Sequence, residues 1–364
     1  MIIKEVTNYI EELAPLNYAE EFDNVGLLVG TYNTIVSGIL VTLDTLEETV
    51  EEAIANNCNL IVSFHPIIFG GLKKLNGNSY VERVVLKAIK NDIAIYATHT
   101  ALDNSKNGVS AKICDVLGLQ NTKILIPKKG IIKKLTTYVP VKNADALRNS
   151  LFSANAGNIG NYENCSFNIE GQGTFKGNKN SNPVLGEKGK QHREKEIKIS
   201  IVFESKNETS ILNALQENHP YEEIAYEIVT TENVHQNIGM GMMGELSSEM
   251  NEKDFLLFVK NTMKTDCIRH SAFINKKIKK VAVLGGSGSF AISNAKKAGA
   301  DAYLSADFKY HEFFKAENTI LLADIGHYES EQFTKNLLVD YLTKKISNFA
   351  VILSEKSTNP IYYI

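Results

Sequence analysis

Short apolar segments alternate with helical periodicity in the first and last thirds of this chain, and most of them end on a histidine or an aspartate. Residues 39–43, 60–63 and 93–97 are almost wholly apolar and stop at Asp44, at Phe64-His65-Pro66 and at Thr98-His99. Between them, 46–56 and 80–91 carry helical spacing, and 2–13 places Ile3, Val6, Ile10 and Leu13 on one face. Strands that are apolar on both faces and alternate with helices indicate a mostly parallel sheet covered on both sides.

The last third repeats this style. Its expected elements are a strand at 280–284, a glycine turn at 285–288, a helix at 289–298 and a strand at 301–305 that ends near Asp307. A strand at 319–323 follows, then Gly326-His327 and one helix running to about 346, with closing strands at 349–353 and 360–364. Laying Val41, Ala53 and Ser63 on Val283, Ala295 and Ser305 brings His65 onto Asp307. That match fits a duplicated βαβ unit, and equally the likeness of any two such units.

The middle differs. A strand at 134–139, a helix at 144–153, a strand at 198–204, a helix at 208–217 and a strand at 224–229 follow in order. A Gly/Asn/Lys-rich stretch, 171–194, is expected to contain a mobile loop. This order fits a ferredoxin-like α+β module. The expected fold is therefore α/β: a split, two-lobed core of mostly parallel βαβ units (1–132 plus 234–364) with an inserted module at 133–233.

Composition removes several function classes. The 39 basic and 42 acidic residues leave a net charge of −3, so no global positive field favours nucleic acid or an anionic membrane. No stretch has the roughly 18–20 uninterrupted apolar residues of a membrane-spanning helix, and the first residues lack the pattern of a secretory signal. Cys58, Cys114, Cys165 and Cys267 lie far apart, which argues for reduced thiols and a cytoplasmic protein.

In open α/β sheets, ligands sit at the carboxyl ends of the strands. The side chains expected there are Asp44, His65, His99 with Asp103, Asp307, and His327 with Glu331. His327 and Glu331 are four apart, one helical turn, so both can reach one metal ion; an exposed helix start with a dipole-compensating glutamate has the same spacing. Asp103 can face the site with His99 or only shape an Asx-turn. His65 can be a ligand or a core histidine. The set contains no cysteine, which favours a divalent ion such as Zn²⁺, Fe²⁺ or Mn²⁺. Gly285-Gly286-Ser287-Gly288 can cradle an anion or make a tight turn. Asp23 and Asn24, in Phe22-Asp23-Asn24-Val25-Gly26-Leu27, can contact substrate or shape a turn.

The ordered motifs Phe22 to Gly30, His65-Pro66, Thr98 to Asp103, Gly285 to Gly288 and Gly326 to Glu331 resemble the Nif-three-like dinuclear-metal family, also called GTP cyclohydrolase I type 2 homologs. The middle segment, on His219-Pro220-Tyr221-Glu222-Glu223 and its strand order, resembles the CutA/PII-like insert of longer members. The resemblance implies a toroidal homohexamer with metal pairs facing its interior. By motif position it implies metal ligation by His65, Asp103, His327 and Glu331, with His99 a nearby site histidine. The family often has two histidines before the proline; here the first is Phe64, which cannot coordinate, so one or two ions per chain are expected.

These readings lead to a metal-dependent hydrolase acting on a nucleotide-like molecule. Asp103 would be the bridging carboxylate and His99 the catalytic proton shuttle. The competing class is a non-enzymatic hexameric metal-binding scaffold or regulator with a small-molecule-sensing insert. Nucleic acid and membrane are not expected partners.

Overall fold

A computed structural model describes all residues, 1–364. Contacts divide the chain into two compact units: Met1–Pro127 with Gln236–Ile364, and Lys128–His235.

The first lobe of the larger unit runs through α1 (Ile3–Leu13), β1 (Gly26–Val29), β2 (Ile39–Thr42), α2 (Glu47–Ala55), β3 (Leu60–Ser63), α3 (Tyr80–Lys90), β4 (Ala94–Ala97), the short α4 (His99–Asp103), α5 (Val109–Val116) and β5 (Gln120–Lys128). β2, β3 and β4 are parallel and in register, Ile39 beside Leu60 and Ile61 beside Ile95. β1 adds an antiparallel edge on β4. The apolar runs have a simple cause. Leu40, Ile61 and Ile95 pack outward with residues of α2 and α3, while Val41, Val62 and Tyr96 face inward into the main core. Every position along these strands is buried, so no polar alternation survives in the sequence.

The smaller unit contains β6 (Ile132–Pro140), α6 (Ala144–Ser153), β7 (Phe167–Phe175), β8 (His192–Glu204), α7 (Glu208–Asn218) and β9 (Tyr226–Thr230). Its strands are all antiparallel, in the order β7-β8-β6-β9, which is the ferredoxin-like arrangement. Leu135, Val139, Ile199 and Ile201 pack one face against Leu147, Leu151, Ile211 and Leu215 of the helices. β7 runs into the front of the Gly/Asn/Lys-rich stretch and β8 starts at its end, with the expected loop between them at 176–191; the residues of β7 are mostly exposed.

The chain returns through β10 (His235–Asn251), α8 (Glu252–Met263), β11 (Arg269–His270), β12 (Lys277–Ser287), α9 (Ile292–Lys297), β13 (Ala302–Ala306), β14 (Leu321–Asp324), α10 (His327–Glu331), α11 (Thr334–Lys345) and β15 (Val351–Leu353). β12, β13 and β14 are parallel, inside a sheet ordered β11-β14-β13-β12-β10-β5. β15 crosses back to pair with β2 in the first sheet. Inward side chains of both sheets meet those of α1, α5, α8 and α11 in one continuous core. The single helix expected from His327 to about 346 is broken after Glu331 into α10 and α11. No strand forms at 360–364; that segment is irregular. β5 and β10 neighbour each other at the edge of the second sheet, so the smaller unit replaces what would otherwise be a hairpin connection.

This placement gives a prediction. Replacing residues 129–234 by a short Gly-Asn turn leaves both parallel sheets and their shared core intact. The shortened chain is expected to unfold in one cooperative transition by circular dichroism; an aggregated or molten product would show that the core depends on the insert.

Candidate metal centre

Each candidate side chain enters at the carboxyl end of a parallel strand. Asp44 follows β2, His65 follows β3, His99 opens α4 after β4, Asp307 follows β13, and His327 opens α10 after β14. Two of these positions have backbone torsions that most side chains avoid. His99 has φ +26° and Asp307 φ +58°. Aspartate and histidine are both among the residues enriched there, and such positions cluster at functional sites.

The imidazoles are turned by carboxylates. His65 Nδ1 lies 2.8 Å from Asp44 Oδ1, His327 Nδ1 lies 2.7 Å from Asp307 Oδ2, and His99 Nδ1 lies 2.8 Å from Asp23 Oδ1. Such a partner keeps the proton on Nδ1 and leaves Nε2 as the donor atom. Asp23 is fixed in turn by the Thr100 backbone amide at 3.0 Å and by the Thr100 hydroxyl. The Asp44 carboxylate also accepts from the Thr358 hydroxyl.

The Nε2 atoms of His65 and His327 converge on one oxygen. Glu331 Oε2 lies 3.2 Å from the first and 3.3 Å from the second. Those are ion-pair distances, yet neither ring is aligned to donate: Oε2 is buried without a hydrogen bond. A buried carboxylate oxygen is costly unless cations face it. Two imidazole nitrogens and one carboxylate oxygen, all within 4.8 Å of one another, form a donor set that suits a divalent cation.

The electrostatics agree. Burial works against charge on His65, but Asp44 and Glu331 raise its pKa to about 10. Asp307 and Glu331 raise that of His327 to about 11. Glu331, although buried, is held down at about 2 by the two imidazoles. Asp103 lines the same crevice as His99, His327 and Glu331 but stands outside the three-residue cluster. Burial, with repulsion from Glu331, pushes its carboxyl well above the usual range.

The glycine turn has a different role from an anion cradle. The Gly286 amide donates to Ser330 Oγ at 2.8 Å and is therefore spent within the fold. At φ +66°, a Cβ on Gly286 would come 2.3 Å from Glu331 Oε1. The glycine leaves room for the central carboxylate. Asp23, which the sequence left undecided, is the partner of His99. Asp44 and Asp307 were visible as strand-end residues, but nothing in their spacing showed that each would hold a histidine.

The fold and crevice define a two-lobed α/β protein with a histidine–carboxylate site suited to a divalent ion. The sequence matches the profile of Duf34/NIF3 (NGG1p interacting factor 3) over residues 1–360, and the chain belongs to that family. A Bacillus subtilis protein named GTP cyclohydrolase 1 type 2 homolog is 35% identical over 371 residues, covering 99% of this chain and 98% of the relative. A Staphylococcus aureus protein of the same name is 32% identical over 368 residues, with full coverage of both. A crystal structure of a Bacillus cereus protein related to NIF3 superposes with TM-score 0.84 at 35% identity, covering 100% of this chain and 99% of that one. No helix here is long and apolar enough to cross a membrane.

The raised histidine values have a defined pH consequence. Both folded values exceed the ordinary 6.5, so in metal-free protein the imidazolium–Glu331 pairing is fully present below pH 6.5 and is lost as pH rises through about 10 and 11. Melting of the chelated chain is expected to weaken across that window, and less so in His327→Gln. An ion must displace these protons, so loading at pH 7 should release about two protons per ion. Zinc titration in weak buffer, followed by a pH indicator, checks this; loading with no proton release would contradict the donor set.

Proposed function

We propose that the chain is a metal-dependent hydrolase acting on a nucleotide-like substrate, with His65, His327 and Glu331 holding a divalent ion and Asp103 a further carboxylate ligand. The observation that carries the reading is the buried, hydrogen-bond-free Oε2 of Glu331 between two histidines whose other nitrogens are already committed. When bound, such an ion supplies Lewis acidity toward a carbonyl or phosphoryl oxygen.

The chain's own groups supply the rest. His99 keeps its Nδ1 proton on Asp23, whose carboxyl, though burial opposes it, is held at about 2 by His99 and Thr100. Nε2 of His99 is thereby left to take a proton from the nucleophile or return one to the leaving group. Phe22 and Phe69 are exposed beside it, their centroids 6.4 Å apart and the Phe69 ring 6.2 Å from His99. Exposed rings at the mouth of a polar crevice suit a planar base. The relatives' name, GTP cyclohydrolase 1 type 2 homolog, supports GTP as the substrate to try first.

Phe64 favours a second reading, a non-enzymatic metal-binding scaffold or regulator, because it is fully buried and brings no donor to the crevice. The two readings separate by experiment. Metal-replete protein should release formate from GTP, and His99→Gln should lower kcat by about 10²–10⁴ with metal content unchanged. Glu331→Ala should lose both metal and turnover. Absence of any GTP product rejects GTP as the substrate, and metal loss in Glu331→Ala with every measured function intact rejects the hydrolase. The chain is further proposed to form a homohexamer, for which light scattering should give the mass of six chains.

A further inference from the structure

A cavity of about 640 Å³ lies wholly within the smaller unit and takes no part in the chemistry above. Its size is that of a small-ligand site, roughly 300–1,000 Å³. It opens on the face of the sheet opposite α6 and α7. Strand register places Gly171 beside Glu196, and Ile169 and Tyr138 beside Lys198, so these side chains share that face.

Two charged groups project there, two residues apart on β8. Glu196 is almost entirely removed from solvent. Its Oε1 accepts the Tyr221 hydroxyl at 2.7 Å, and no hydrogen bond of the chain reaches Oε2. A Cβ at position 173 would fall 2.1 Å from that oxygen, so Gly173 is what allows the carboxylate to lie across β7. Tyr221 is itself anchored: its amide donates to His219 Nδ1 at 3.2 Å, and His219 Nε2 donates to the Tyr138 carbonyl at 3.0 Å. Lys198 is half-buried with its ammonium 5.9 Å from the Tyr138 ring centroid, and it has no ion-pair partner. Phe175, Val184 and Leu185 supply apolar wall.

The arrangement is a carboxylate with one oxygen that no hydrogen bond of the chain reaches and an ammonium without an ion-pair partner, two residues apart on β8 in a largely apolar cavity. A ligand carrying the opposite charges partners both groups together, and charge-assisted hydrogen bonds are the strong ones. We propose that this cavity binds a free α-amino acid with a large apolar side chain, its ammonium on Glu196 Oε2, its carboxylate on Lys198, and its side chain against Phe175 and Leu185. The charges disfavour a polyphosphate. Glu222 and Glu223 also line the cavity, leaving three carboxylates against Lys176 and Lys198, and no helix start faces it. The inference concerns the insert and stands whether or not the core hydrolyses anything.

Calorimetry on the full-length, metal-replete chain tests it. L-Phenylalanine and L-leucine are the probes; 3-phenylpropionate, phenethylamine and AMP are the comparators. Either amino acid should bind, and the two analogues lacking one charge should bind at least about tenfold more weakly. Glu196→Gln and Lys198→Met should each weaken amino-acid binding to a similar extent with core metal content unchanged. Val184→Trp, which fills the cavity and leaves both charges in place, should abolish binding even if one charge variant misfolds. Bound amino acid should also slow proteolysis within residues 176–191. Failure of both amino acids to bind the wild-type chain overturns the proposal. So does AMP binding in their place, or amino-acid affinity indifferent to all three substitutions.

Discussion

A proton held on one side of an imidazole decides what the other side can do, and the crevice of this core rests on three such bonds. Asp44, Asp307 and Asp23 each take the Nδ1 of one histidine. Without them the rings would sample both tautomers and several rotamers, and no common point would exist for their Nε2 atoms. With them, His65 and His327 aim at a single oxygen of Glu331, and His99 is reserved for a neighbouring position. The strained torsion at His99 belongs to this economy: the backbone leaves its preferred region so that the ring can reach Asp23.

The two lobes reach this geometry by the same local route. After β4, a five-residue helix starts on His99 and ends on Asp103; after β14, another starts on His327 and ends on Glu331. After β3 comes His65, and at the matching place after β13 comes Asp307. The equivalent positions then diverge in role. Glu331 sits between two imidazoles and is held ionised, whereas Asp103 stands apart, with Glu331 as its nearest strong repulsion. Laying one lobe's sequence on the other put His65 on Asp307 but did not show this division of labour, because burial and neighbours set it and spacing does not.

What was legible follows the same divide. Parallel strands buried on both faces leave continuous apolar runs, so β2, β3, β4, β13 and β14 could be read nearly to their ends. The mixed character of the α/β core and the His327–Glu331 pairing came from the same signals. Strands with one wet face, or at an edge, did not show. β7 is mostly exposed, β1 is a four-residue edge, and β10 is interrupted by glycines that suit close strand packing. The break between α10 and α11 carries no proline or glycine and lies in Gln332-Phe333, so helical spacing ran across it unmarked. The roles of Asp23, Asp44 and Asp307 needed tertiary distances, since each partner histidine is about 20 to 76 residues away in the chain.

Phe64 shows how a missing donor changes a polar site without emptying it. Its ring is fully buried, packed edge-on to His99 at 5.7 Å and against His65 at 4.8 Å, and it belongs to the shared core. It offers no ligand atom, so β3 brings only His65 to the crevice. Its hydrocarbon adds to the burial that works against charge on His65. The same burial strengthens the pull of the Asp44 and Glu331 carboxylates on that imidazole. Glu331 is buried too and stays ionised only through its two imidazoles, which is why the two raised histidines and the central carboxylate must be understood as one coupled unit.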